Sequence, residues 1–290
     1  MEHEGSCWLC GRWAPLTREH IPPRSAFNDR LLLVKYIEKR TRDVWHLEWG
    51  GRVQEGLIFR SLCGECNSWC GAKYGTHYAE FIGKVAEKIE RASEGERILI
   101  TGIRRPLSIL KQVVQLFVSA NGREFVEKNN WIRKLLKSSR NRDWPPGVYL
   151  YLFATNCRVG RKSGVAGVLH FARRSVRVLS EFTFWPLGAV LSYSEINDRG
   201  LSPIHQWTAH EYTSQVRTDL WLTVNPVETP YPLDFRSASR IRREAFPGDE
   251  ALLCRDEDLA HVLNTTLEKA GESRKESFAI VARRPVKVLP

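Results

Sequence analysis

The sequence predicts an α+β protein in two parts. A cysteine-stapled segment spans residues 1–95, and a basic α+β region with mainly antiparallel strands spans 96–290. Three observations predict this. Two matched pairs, Cys7-x2-Cys10 and Cys63-x2-Cys66, lie in the first segment. Apolar residues recur at helical spacing after Cys66 and again after Pro106. Beyond the breaker Trp144-Pro145-Pro146-Gly147, short apolar or alternating runs follow one another, as strands do.

Taken in order, Leu31 to Lys35 and Asp43 to Trp49 read as strands, with Gly50-Gly51 as the turn before Arg52 to Phe59. A helix is expected from Cys66 to about Ala92, with Tyr78, Phe81, Ile82, Val85 and Ile89 on its buried face. Ile98 to Thr101 reads as a strand. Pro106 opens a helix that Asn121-Gly122 closes, and Glu124 to Leu136 reads as another. Strands are expected at 148–154, 164–171, 175–184, 189–193 and 217–224. The alternation in 177–184 suggests one polar and one apolar sheet face. A late helix, Leu259 to Ala270, and a last strand, Phe278 to Ala282, complete the reading.

Composition narrows the class. A hydrophobic fraction of 42% with ten tryptophans is enough for a real core. No apolar run approaches the ~20 residues that span a membrane, and the N-terminus does not resemble a signal peptide, so a cytoplasmic location is expected. Seven cysteines, an odd count with two close pairs, suit metal better than a disulfide framework in a reducing compartment. The net charge of +11 is concentrated: residues 101–180 hold 16 Lys/Arg against three acids, so the rest of the chain is slightly acidic. Such a concentration is the footprint of a polyanion binder, or of a solvated basic surface.

Cys-x2-Cys lets one tight turn present two sulfurs to a single ion, and four thiolates bind Zn2+ tetrahedrally. Fifty-two residues separate Cys10 from Cys63, so the intervening fold must bring the pairs together. The alternative is a set of buried core cysteines. Cys70, one helical turn past Cys66, reads as a core residue, and Cys157 and Cys254 as isolated thiols.

Between the knuckles stand Glu19 and His20, and Asn67 follows the last cysteine directly. The order Cys-x2-Cys, acid-His, Cys-x2-Cys-Asn resembles the HNH, or ββα-metal, endonucleases, above all those with a zinc-stapled nuclease finger. Arg18-Glu19-His20-Ile21-Pro22-Pro23-Arg24 is similar to the acid-His-x-Pro signature of bacterial members. The resemblance covers residues 7 to about 80. It implies a ββα finger, His20 as general base, and Glu19 and Asn67 as oxygen ligands of a catalytic Mg2+ or Mn2+ ion. Glu19 stands where the family often has Asp. Neighbouring strand side chains point to opposite faces, so Glu19 and His20 share a site only where the strand ends or bulges. Asn67 also reads as a helix cap, and His20 as a residue supporting the metal.

Arg24 and Lys73 are candidate phosphate contacts, as are Arg133, Lys134, Lys137 and Arg140, which cluster beside Trp131 and Trp144. Tryptophan in the core is the commoner explanation of each ring. The expected function is a metal-dependent endonuclease acting on nucleic acid, DNA before RNA, in a restriction or phage-defence context by analogy. Its second region would bind substrate, form a homo-oligomer or regulate. Two rivals stand beside it: a non-catalytic zinc-stabilised nucleic-acid-binding module, and a nuclease effector switched on by a ligand of the second region.

Overall fold

The computed structural model describes residues 3–29, 32–41, 44–53, 55–156, 159–170, 175–197, 200–214, 216–224 and 278–283. The chain opens with a hairpin of β1 (Glu4–Ser6) and β2 (Trp13–Pro15), and the Cys7–Cys10 knuckle is its turn. Gly11 sits at φ +79, a left-handed position that lets the chain leave the knuckle. A two-residue strand, β3 (Glu19–His20), pairs antiparallel with β6 (Ile58–Phe59). Between them the chain makes an excursion: a loop over 21–28, then the long hairpin β4 (Leu32–Thr41) and β5 (Val44–Val53).

After β6 comes one continuous helical rod. It begins as α1 (Gly64–Cys70), widens through a π-helical turn (Gly71–Gly75) and continues as α2 (Thr76–Ile89). The stripe expected on this helix is observed, with Tyr78, Phe81, Ile82, Val85 and Ile89 all buried. β7 (Arg97–Ile103) follows, then α3 (Pro106–Asn121), with proline in its first turn, where a missing N–H costs nothing. The helix expected over 124–136 is two, α4 (Arg123–Lys128) and α5 (Asn130–Lys137). The chain breaks at Asn129, whose side chain bonds back to the Phe125 carbonyl at 2.8 Å.

β8 (Tyr149–Ala154), β9 (Val159–His170), β10 (Ser175–Phe184), β11 (Leu187–Ser192), β12 (Ser202–Pro203), β13 (Thr218–Thr223) and β14 (Phe278–Arg283) complete the described elements. Eight strands form one sheet in the order β12-β8-β11-β10-β9-β14-β4-β5. Its pairings are antiparallel except for β14, which runs parallel to both β9 and β4. β13 pairs separately with β7. The fold is mixed helix and mainly antiparallel sheet, as expected. The late helix expected at 259–270 lies outside the described residues.

Three features differ from expectation. Gly50-Gly51 is not a turn but lies inside β5, where the register slips between Val34 and Lys35 opposite. Strand β10 has no polar solvent face: Ser180, Glu181 and Thr183 are as buried as Phe182. Helix α3 covers the Ser180–Phe182 face, where Asn121 donates to Ser180 Oγ at 3.1 Å, while Glu181 and Thr183 lie on the other face and Thr183 Oγ1 donates to Glu181 at 2.7 Å. The boundary expected near residue 95 is crossed in both directions. β4 and β5 join the sheet of the later strands, and one apolar core runs from Cys7 to Val224.

Helix α3 is the centre of that core, with every residue from Pro106 to Ala120 buried. Its apolar side packs into the core. Gln112, Gln115 and Ser119 follow one another at three-to-four spacing and form a polar stripe toward the N-terminal segment. Buried polar groups must find partners, and here they are Glu19 for Gln115 and Ser61 for Ser119.

Candidate metal centre and the histidine beside it

The four sulfurs of Cys7, Cys10, Cys63 and Cys66 come within 4.8 Å of one another and could hold a metal ion such as zinc. Each pair is placed by backbone bonds. In the first knuckle Gly11 N–H donates to the Cys7 carbonyl at 2.8 Å, and Ser6 Oγ donates to the Gly11 carbonyl at 3.0 Å. In the second, Cys63 stands at the N-cap of α1 in extended conformation and Cys66 lies in the first turn. The pairs are joined where Trp8 N–H donates to the Ser61 carbonyl at 2.8 Å and Thr17 N–H to the Leu62 carbonyl at 2.9 Å. All four thiols are free of disulfides.

Four thiols at this distance cannot ionise independently. A hydrogen bond from the Cys66 thiol draws the Cys7 thiol down to about 4, and the same contact pushes Cys66 up. Burial first, then the Cys7 charge, raises Cys63. A divalent cation removes that repulsion, so the donor chemistry suits zinc. Cys70 is fully buried outside the tetrad, its thiol pushed up by burial, as expected of a core residue.

His20 lies at the end of β3, half-buried. Its Nδ1 stands 3.0 Å from the backbone oxygen of Asn28. A carbonyl only accepts, so Nδ1 carries a hydrogen, and in the neutral ring Nε2 is then the acceptor. Asn28 is fully buried and ties the loop shut. Its side-chain amide donates to the carbonyls of Pro22 at 2.7 Å and Leu57 at 2.9 Å, and its Oδ1 accepts from Leu57 N–H at 2.6 Å. Gly56, at φ +83, allows the approach, since a Cβ there would stand 2.3 Å from the Asn28 oxygen.

Asn67 is held by the second knuckle, its N–H bonded to the Cys63 carbonyl at 2.9 Å. It is not a helix cap. Its side chain crosses to the strand before His20, donating to Thr17 Oγ1 at 3.1 Å and to the Arg18 carbonyl at 3.4 Å. Both amide hydrogens are thereby used, and Oδ1 is the atom left to accept or to bind a cation.

Glu19 goes the other way. It is 2% exposed, its carboxylate accepts from Ser61 Oγ and from Gln115 Nε2, and burial raises its pKa to about 7. On a two-residue strand adjacent side chains take opposite faces, and Glu19 shares no hydrogen-bond partner with His20 among the described residues. Of the trio, Asn67 is tied to Thr17 and Arg18, just before His20, and the Glu19 side chain is turned into the core.

The basic candidates separate into two kinds. Arg24, Lys134, Lys137 and Arg140 are exposed. Lys73 lies over the Trp69 ring at 5.4 Å, and Arg133 Nε is spent on the Leu9 carbonyl at 2.7 Å, bracing the first knuckle. Trp131 and Trp144 pack against each other at 5.1 Å on the edge of the core, and each indole N–H is bonded within the chain. That is the commoner reading of those rings.

Asn28, Gly56, Ser61 and Gln115 were not singled out from the sequence. Gln115 and Ser119 could have been found, because their spacing of four puts two polar groups on one face of an otherwise apolar helix. No family model, curated protein or solved structure matches the chain. Among the described residues no helix is long and apolar enough to cross a membrane.

Proposed function

We propose that the chain is a zinc-stapled endonuclease of the HNH, or ββα-metal, type that hydrolyses phosphodiester bonds, with DNA as substrate. The observation that carries this reading is the His20–Asn28 contact: Nδ1 is bound to the Asn28 carbonyl at 3.0 Å, which makes Nε2 the acceptor of a neutral ring. A neutral imidazole in this tautomer can take a proton from an attacking water. The β3–β6 pair followed by α1, with cysteines at the start of the helix, supports this reading, since a ββα finger needs two paired strands and then a helix.

Within this reading zinc is structural. It pins Cys66, and with it Asn67, against the strand that ends in His20. Asn67 Oδ1 is an oxygen that a Mg2+ or Mn2+ ion takes, and such an ion, when bound, neutralises charge on the phosphate. Glu19 does not fit that ion in this conformation, because both of its oxygens are bonded inside the core. The chain's own contribution in this reading is a general base, an amide oxygen tied to the residues that precede it, and exposed cations, Arg24 among them, for the phosphate backbone.

The burial of Glu19 favours a second reading, a zinc-stabilised nucleic-acid-binding module without catalysis. Cleavage of plasmid DNA in Mg2+ or Mn2+ separates the two. His20→Ala is expected to abolish nicking while leaving zinc content and melting unchanged. Undiminished nicking by that variant removes His20 from the mechanism, and no nicking by the wild-type chain favours the binding module.

A further inference from the structure

The loop that presents Asn28 to His20 contains a backbone turn that its own residues do not favour. Phe27, the residue before Asn28, stands at φ +65. Glycine takes such a φ freely, and asparagine and aspartate tolerate it. A larger side chain is disfavoured there, because its Cβ crowds the carbonyl that follows. Strain of this kind persists where the surrounding structure over-determines it, and it gathers at functional sites.

The group that meets Phe27 comes from far along the chain. The half-buried Phe27 ring lies edge to face with the buried Trp185 ring, their centroids 4.8 Å apart and their planes at 68°. Trp185 and Pro186 form the turn between β10 and β11. Thr155 N–H donates to the Pro186 carbonyl at 2.9 Å, which pins that turn to the end of β8. The partner of Phe27 is thus fixed to the sheet rather than to the loop. An edge-to-face pair is directional, and it contributes beyond the burial of its area.

The loop is anchored on either side of Phe27. Before it, Ala26 is buried and its N–H donates to the Pro23 carbonyl at 2.8 Å. After it, the Asn28 side chain is bonded to Pro22 and Leu57. Those bonds fix where the Asn28 amide sits. The oxygen that meets His20 Nδ1 at 3.0 Å is on the main chain, and the main chain reaches Asn28 through Phe27. A return of Phe27 to an ordinary negative φ would turn that path.

We propose that Trp185 is a positioning residue for His20. By seating the Phe27 ring it holds the loop in its left-handed turn, and the Asn28 carbonyl then faces Nδ1. This deepens the reading of His20 as general base, and only the effect on cleavage rests on that reading.

The test uses the full zinc-bound chain with 15N-labelled histidine at about pH 8, where a free imidazole is neutral. The His20→Gln chain assigns the His20 signals. In the wild type the ring is expected to carry its hydrogen on Nδ1. Trp185→Leu and Phe27→Ala should each lose that preference and give the averaged nitrogen shifts of a ring exchanging tautomers, with zinc content as in wild type. Trp185→Phe, which keeps a ring against Phe27, should retain the wild-type shifts. Plasmid nicking in Mg2+ should follow, with kcat about tenfold or more lower in the first two variants and KM little changed. Phe125→Leu, which loosens the same core at α4, should leave the His20 shifts alone. If Trp185→Leu does not fold, Phe27→Ala carries the test. A wild-type ring without a hydrogen on Nδ1 overturns the proposal, and so do wild-type shifts in a folded Phe27→Ala chain. An equal change in Phe125→Leu also overturns it, since the effect is then general loosening. A wild-type chain that does not nick, with the tautomer preference still lost in Phe27→Ala, leaves the positioning intact and removes the nuclease reading.

Discussion

His20 Nδ1 is bonded to the backbone oxygen of Asn28 at 3.0 Å, and the Asn28 side chain makes three further bonds to the Pro22 and Leu57 backbone. Asn28 therefore faces the histidine with its backbone carbonyl and ties the loop with its side chain. Asn28→Ala is expected to lower stability by about 2–4 kcal/mol, because it leaves the Pro22 carbonyl and the Leu57 N–H unpaired and the Leu57 carbonyl with only its bond from Ile21 N–H. Urea denaturation measures this. Asn28→Asp, which lacks the two N–H donors, should cost nearly as much. An Asn28→Ala chain as stable as wild type would show that the loop does not rely on those bonds.

Gly56 is the counterpart of Asn28. A side chain there meets the Asn28 carbonyl at 2.3 Å and its Oδ1 at 2.4 Å, at a φ of +83 that L residues rarely adopt. Gly56→Ala is expected to cost more than the ~1 kcal/mol of an ordinary left-handed alanine, and to abolish any His20-dependent cleavage together with Asn28→Ala. Gly71→Ala, with nothing within 4 Å of its Cβ, is the control expected to be silent.

The sulfur tetrad predicts a clear response to metal removal. Cys66→Ser should lose bound zinc and destabilise the chain strongly, since structural zinc supplies on the order of 10 kcal/mol in small modules. Cys70→Ala, a buried cysteine outside the tetrad, should keep one zinc per chain. Metal analysis together with circular-dichroism melting reads both. A zinc-free Cys66→Ser chain with wild-type melting would sink the structural role of the metal.

Glu19 gives a pH dependence whose sign follows from its burial. Its carboxyl is pushed from 4.5 to about 7 in the folded chain. Between those values the folded state holds a proton that the unfolded state has released, so stability falls as pH rises through the window and stays lower above it. Glu19→Gln is neutral throughout, and the Gln115 amide, whose Oε1 has no partner, can turn to meet it. The variant's advantage over wild type should therefore grow from about pH 5.5 to pH 8. Urea midpoints at the two pH values, with zinc held constant, test this. An advantage that shrinks with pH would mean the carboxylate is ionised and held by a cation.

The sequence and the structure agree most closely where a pattern is local. The α2 stripe from Tyr78 to Ile89 declares itself by spacing, and the cysteine knuckles by a two-residue gap that suits few uses other than metal. They part where one residue's meaning depends on a distant one. Asn28 is an ordinary loop asparagine until β6 brings Leu57 beside it. Ser180 looks solvent-facing until α3 lies across it. Gly50-Gly51 reads as a turn because glycine pairs commonly are, but the slip in register opposite Val34 and Lys35 puts it inside β5. Glu19 beside His20 suggests a shared site, and strand geometry sends the two side chains apart.

The polar stripe of α3 also bears on how the molecule comes apart. Cutting the chain after residue 95 would strip Gln115 and Ser119 from Glu19 and Ser61 and open the wall of apolar side chains behind the tetrad. A fragment of that length would be left with half an interior and its apolar side chains facing water. The intact chain should accordingly lose its metal site and its sheet in one cooperative melting step, with no autonomous N-terminal segment left to outlive the rest.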